Sequence, residues 1–221
     1  MMMSKLDALL PIADDIRTRF TALNEARDAA ISQSRELIRH CAECIRAIHR
    51  RDWDKAAEKF AIIRDGAQTL KDGVRNYPEL YHSGYTQDAL KEVVEAHATY
   101  AIIREEPLPD RAALGVEAST YLLGLAEAAT ELRRFILDIM RRAEQHSDEA
   151  ERLLDWMDAI YDQLVTFDFP DAITHGLRRQ TDIVRGVLER TRGDLTTSLR
   201  QQRMQDALAR FEAQVNPAER Q

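Results

Sequence analysis

Apolar residues recur at intervals of three and four from Ile16 to Ile48 (Ile16, Phe20, Leu23, Ala30, Leu37, Cys41, Cys44, Ile48), the spacing of one helix face. Pro11 stands where a first-turn proline would, so a helix is predicted from Pro11 to Arg50. At 1.5 Å per residue it would run roughly 60 Å. One compact core cannot cover that length, and helix packing between subunits is expected. Asp52 is placed to cap a second helix with the stripe Trp53, Ala57, Phe60, Ile63, Ala67, Leu70, Val74 and Tyr77, stopped by Pro78.

After a turn containing Gly84, a third long helix is predicted from about Thr86 to Glu106, where Pro107 and Pro109 break it. A fourth spans about Val116 to Gln145. Ser147, followed by Asp148 and Glu149, reads as the N-cap of the next helix, which ends near Val165. Thr166 to Pro170 is a connector. From Asp171 the pattern is helical to Arg192, with Gly193 and Asp194 expected to cap it before a polar helix ending near Gln214. No segment has strand periodicity, so the expected fold is an all-α, single-domain bundle of six to seven long helices. Residues 1–193 form the helical domain and 194–221 a polar helical C-terminal extension.

Composition agrees with long helices. Eight Gly and six Pro in 221 residues are about half the ~12% of average usage, so turns are few. The longest uncharged stretches, such as Ala118 to Ala126, fall far short of the ~20 apolar residues of a membrane span. Lys5 and Asp7 interrupt the short apolar run before Pro11, and no signal-peptide pattern follows, so a cytoplasmic protein is expected. A net charge of −7 excludes a protein that coats nucleic acid with its whole surface. It leaves room for a segregated basic face. Of the 31 basic residues only Lys5, Lys55, Lys59, Lys71 and Lys91 are lysines. The rest are Arg, a side chain suited to phosphates and bases, although genomic base composition produces the same bias.

Two predicted helices carry too few charges for a solvated face. From Val93 to Ile103 the one formally charged residue is Glu95, and from Ala118 to Thr130 it is Glu127. A helix apolar nearly all round is buried, and a carboxylate on it needs compensation. Asp88 with Glu92, and Glu127 with Glu131, are like charges at i,i+4, which stability alone does not favour. Spacings of three and four put Glu92 and Glu95 on one helix face and Glu127 and Glu131 on another. Four converging carboxylates would be an oxygen-ligand set for Mg²⁺ or Mn²⁺, suited to in-line displacement at phosphorus. The alternative is that these glutamates meet water or arginines of neighbouring helices; all four lie opposite the stripes Leu90, Val94, His97, Ala101 and Leu125, Leu132, Ile136, Ile139.

Other candidates are weaker. His40, Cys41, Cys44 and His49 are zinc-capable, but both cysteines fall on the apolar stripe and read as buried free thiols. A ferritin-like di-iron site needs two Glu-x-x-His motifs, and only Glu79 to His82 is present. Glu92-x-x-Glu95 is similar to the first motif of all-α nucleoside triphosphate pyrophosphohydrolases, whose later Glu-x-x-Asp is missing. Neither a Gly-rich phosphate loop nor a Ser/His/Asp arrangement is evident.

The segment Tyr121-Leu122-Leu123-Gly124-Leu125-Ala126-Glu127-Ala128-Ala129-Thr130-Glu131-Leu132-Arg133-Arg134 resembles the Tyr-Leu-x-Gly start and Glu-Leu-x-Arg end of the translin family. Glu92-Val93-Val94-Glu95-Ala96 resembles the Glu-x-x-Glu-Ala step of its Trax (translin-associated factor X) branch. The helix layout fits from about residue 10 to 193. The resemblance implies a Mg²⁺-dependent (or Mn²⁺-dependent) endoribonuclease with Glu92, Glu95, Glu127 and Glu131 as the metal-binding catalytic set. It also implies a closed, hollow homo-oligomer, often an octamer, with RNA held inside. Arg134 matches the Glu-Leu-x-Arg arginine and could contact the scissile phosphate or pair with Glu131. Arg46, Arg50, Arg64, Lys71 and Arg75 are the other basic residues expected to line the interior.

The chain departs from the family twice. Glu127 stands where the Trax pattern has Asp, and translin's Arg/His-rich patch appears here as Tyr85-Thr86-Gln87-Asp88. The resemblance therefore also supports a translin-like module that binds RNA or single-stranded DNA without cutting. A helical scaffold with neither activity is the third reading.

Overall fold

In a computed structural model, residues 5–142 and 147–215 are described, and among them the regular elements are all helices. They are α1 (Lys5–His49), α2 (Trp53–Val74), α3 (Pro78–Tyr81), α4 (Gly84–Arg104), α5 (Arg111–Leu114), α6 (Ala118–Arg142), α7 (Asp148–Leu164), α8 (Asp171–Thr174) and α9 (Leu177–Val215). Six are long, as the periodicity predicts. None is long and apolar enough to cross a membrane. Two compact units divide the chain, Met1–Ala96 and His97–Gln221, and the division falls within α4.

In the first unit α1 packs along α2. The expected stripe is buried in the second half of α1 (Ala30, Leu37, Cys41, Cys44, Ile48) and along α2 (Ile63, Ala67, Leu70, Val74). The first half of α1 is different: Leu6, Leu9, Ile16 and Phe20 are exposed. The helix begins by Lys5, so Pro11 lies inside it rather than opening it. A proline this near the start removes one backbone bond, and the flanking Leu and Ala residues favour helix. The turn to α2 is closed by Arg51 in the left-handed region (φ 56) and by Asp52, whose carboxylate accepts from Lys55 N at 3.2 Å. α2 ends at Val74 and Pro78 opens α3, a single turn that the periodicity did not reveal.

Cys41 and Cys44 are free and buried, as their place on the stripe predicts. Burial pushes the Cys44 thiol up to about 12 against an opposing pull from Lys59, and it raises Cys41 further. The unfolded thiols ionise near 8.5, so stability is full below that pH and falls as pH rises above it, where only the unfolded chain releases these protons. Neither thiol is expected to react with a maleimide at pH 8 in the native protein, and both should react in denaturant. Mass spectrometry before and after unfolding checks this.

In the second unit α6, α7 and α9 pack together. The seam of α9 (Leu177, Thr181, Val184, Leu188, Thr191, Leu195) recurs at alternating four and three, and meets Leu153, Met157, Ile160 and Leu164 of α7 and Leu132 and Ile136 of α6 in one buried set. Gly193 and Asp194, expected as a cap, lie inside α9. Burial of Leu195 outweighs the ~1 kcal/mol that a mid-helix glycine costs, and Asp194 instead pairs with Arg133 of α6 at 2.8 Å. α9 therefore runs unbroken to Val215. Ser147 does precede α7, but its side chain makes no cap bond; Asp148, Glu149 and Glu151 supply the negative charge of the first turn. The expected end of helix four at Gln145, and residues 216–221 of the extension, lie outside the described residues.

Candidate functional site

The two helices with few charges are solvent-poor, as expected. From Ala89 to Ile103 of α4 no residue is exposed, and from Thr120 to Arg133 of α6 none is. Ala89, Leu90, Val93, Val94 and Ala96 are buried in the first unit, which leaves Glu92 and Glu95 half-buried on one face of α4. Their charges are felt across the unit: after burial itself, Glu92 is the strongest influence raising the Cys41 thiol, with Glu95 adding to it.

In the second unit Glu127 is half-buried between Ala126 and Ala128, and the Thr130 hydroxyl donates to its main-chain carbonyl at 2.8 Å. Glu131 lies one turn on and pairs with Arg134 at 3.6 Å; its side chain is 20% exposed and that of Arg134 62%. Of the two roles open to Arg134, the ion pair is the one seen. At that exposure it holds weakly, so a phosphate could displace it. All four acids offer hard oxygen donors, the type that Mg²⁺ and Mn²⁺ take.

The basic candidates separate. Arg64 pairs with Asp65 at 3.3 Å and Arg75 with Asp72 at 2.7 Å, so local acids offset both; Lys71 is half-buried. Arg46 and Arg50, by contrast, line a recess of about 420 Å³ where α1 meets α2, together with Lys55 and Lys59. Lys59 pairs with Glu43 at 2.7 Å and holds that carboxyl below its usual range, while Asp52 is spent on the α2 cap. Arg46, Arg50 and Lys55 bring three further positive charges. Lys55 and Lys59 were missed as site residues; their i,i+4 spacing on the flank of the α2 stripe was the available signal.

Two of the positions matching the family's basic patch, Thr86 and Gln87, are structural here. Thr86 is fully buried and its hydroxyl donates to Leu80 O at 2.8 Å, while Gln87 Nε2 donates to Tyr81 O at 2.7 Å. They hold α3 against α4.

The chain matches no protein-family model. It is 32% identical over 191 residues to an uncharacterised protein, MJ0175, of Methanocaldococcus jannaschii, covering 86% of this chain and 83% of that protein. It is 32% identical to AfC3PO in its crystal structure (TM-score 0.77; 84% of this chain, 96% of that one). It is 31% identical to AfC3PO in a complex with duplex RNA (TM-score 0.76; 84% and 95%). The crystal structure of apo-NeC3PO shares the fold at 21% identity (TM-score 0.75; 90% and 99%).

Proposed function

The chain belongs to the translin family, with the C3PO proteins, and from that premise we propose that it binds RNA and cleaves it as a metal-dependent endoribonuclease of the Trax-like kind. The observation that carries this reading is the placing of Glu92, Glu95, Glu127 and Glu131 on the two helix stretches without an exposed residue. In this reading the four carboxylates are the ligands of Mg²⁺ or Mn²⁺. A cation so held supplies an activated water and neutralises charge developing on the phosphate. The protein's own part is to keep the carboxylates half-buried, where competing water is scarce, and to offer Arg134 to the phosphate in exchange for its weak pair with Glu131. AfC3PO has been solved with duplex RNA, which supports RNA as the ligand here. Subunits assembled as a closed, hollow homo-oligomer, an octamer by resemblance, would hold it inside.

The test is incubation of labelled single-stranded RNA with purified protein and Mg²⁺, Mn²⁺ or chelator. Cutting that needs the cation is expected; RNA left intact under every condition overturns the nuclease. A second reading, a translin-like module that binds RNA or single-stranded DNA without cutting, is favoured by the basic recess, which owes nothing to the four glutamates. Each phosphate contact adds about one to the slope of log affinity against log salt. Arg46→Ala with Arg50→Ala is expected to weaken RNA binding about tenfold or more and to lower that slope by about two. An unchanged slope in a filter-binding titration would remove the recess from the RNA path.

A further inference from the structure

The recess where α1 meets α2 holds more positive charge than its own acids offset. Arg46, Arg50, Lys55 and Lys59 line it, against Glu43 and Asp52. Lys59 and Glu43 cancel in their ion pair. Among the described residues no carboxylate pairs with Arg46, Arg50 or Lys55. Asp54 and Glu58, the neighbouring acids on α2, do not line the recess. Three cations against the one carboxylate of Asp52 leave a surplus of two positive charges.

Helix stability accounts for part of this charge. Arg46 and Arg50 stand at the end of α1, and cations suit the negative end of a helix. Lys55 does not fit that account. It lies in the first turn of α2, whose positive end disfavours a cation and is served instead by Asp52 and Asp54. A lysine in that place is explained by an anion in front of it. The amide dipoles of the same turn attract that anion as well.

We propose that this recess is a receptor for the terminal phosphate monoester of an RNA strand. The cations come from both sides of a concave site, two from α1 and one from α2, so they converge on a single group. Its volume of about 420 Å³ is that of a small-ligand site, about 300–1,000 Å³. A phosphate inside a strand carries one negative charge and has two oxygens tied into the chain. A terminal monoester carries about −1.5 to −2 at neutral pH and offers three free oxygens. It matches the surplus charge and gives both arginine forks oxygens to grip. The proposal rests on the RNA-binding reading and narrows it to the end of a strand. It does not depend on whether RNA is cut.

Filter binding on the full chain, without divalent cation, tests it. One internally labelled single-stranded RNA is made with a 5′-phosphate, with a 3′-phosphate, or with hydroxyls at both ends. At least one phosphorylated strand is expected to bind about tenfold tighter than the hydroxyl-ended strand, and the comparison tells which end is held. Arg50→Gln and Lys55→Gln, both at exposed positions, should each bring that preference to about twofold or less. Inorganic phosphate, with ionic strength held constant by chloride, should erase it in the wild type. Equal binding of the three strands overturns the assignment to RNA ends and leaves RNA binding standing. A urea midpoint raised by inorganic phosphate would then give the recess to the free anion. Retention of no strand overturns both readings, and a preference that survives both substitutions removes it from this recess.

Discussion

Glu127→Gln is expected to lower metal-dependent cleavage of single-stranded RNA by two orders of magnitude or more, while RNA binding and helicity stay as in the wild type. The amide keeps the size and the hydrogen-bonding oxygen of the carboxylate but removes the charge that a hard cation requires. Folding should not suffer, because Glu127 is half-buried on α6 and its loss leaves no cavity. The informative companion is Glu127→Asp. The Trax pattern has Asp at this place, so the shorter acid should retain cleavage within about tenfold of wild type, provided the neighbouring glutamates can close one methylene of extra distance. Glu95→Gln on α4 should fail as Glu127→Gln does, because the proposed function asks for both carboxylates. Rates from a labelled-RNA assay in Mg²⁺ decide the matter. Cleavage by Glu127→Gln at the wild-type rate would return this glutamate to a structural role and leave the binding module as the better account.

Much of the fold was legible because each long helix buries a single stripe. Ile63, Ala67, Leu70 and Val74 repeat at a helical interval with polar residues between them, and that repeat has one structural solution in water. Isolated acids in apolar runs were legible for the same reason: Glu95 and Glu127 interrupt stretches that burial alone would keep uncharged. What failed is equally physical. α3 and α5 are single turns, shorter than the window in which a 3.6-residue period can be recognised. Gly193 looked like a stop because glycine is the residue of helix ends, yet the seam on both sides of it continues in phase, and a packed seam overrides local propensity. The basic recess was hidden because its cations come from two helices joined at a left-handed, non-glycine Arg51, a turn that periodicity does not encode. Contacts across tens of residues were beyond reach altogether.

Arg152 is the clearest of those contacts, and Arg152→Ala should cost the fold about 2–3 kcal/mol. Its guanidinium donates from Nη1 to Ile102 O at 2.8 Å and from Nη2 to Ile103 O at 3.5 Å, fifty and forty-nine residues away. These carbonyls belong to the last turn of α4, where the helix runs out of its own N–H donors and Glu105 turns the chain into the left-handed region at φ 58. Ile102 and Ile103 are buried, so water cannot easily take the place of the guanidinium. The cation also lies at the negative end of the helix. Nε pairs with Glu105 at 3.5 Å as well, but that carboxylate is 69% exposed and adds little. The two roles separate by substitution. Glu105→Gln should move the urea midpoint hardly at all, whereas Arg152→Ala should lower it with the slope m unchanged. Arg152→Lys, which keeps a charge but cannot span two carbonyls, should fall between them. The loss should persist in about 1 M salt, because a bond to a buried carbonyl is screened far less than a surface ion pair. An Arg152→Ala protein as stable as the wild type would mean that the end of α4 satisfies its carbonyls without help from α7.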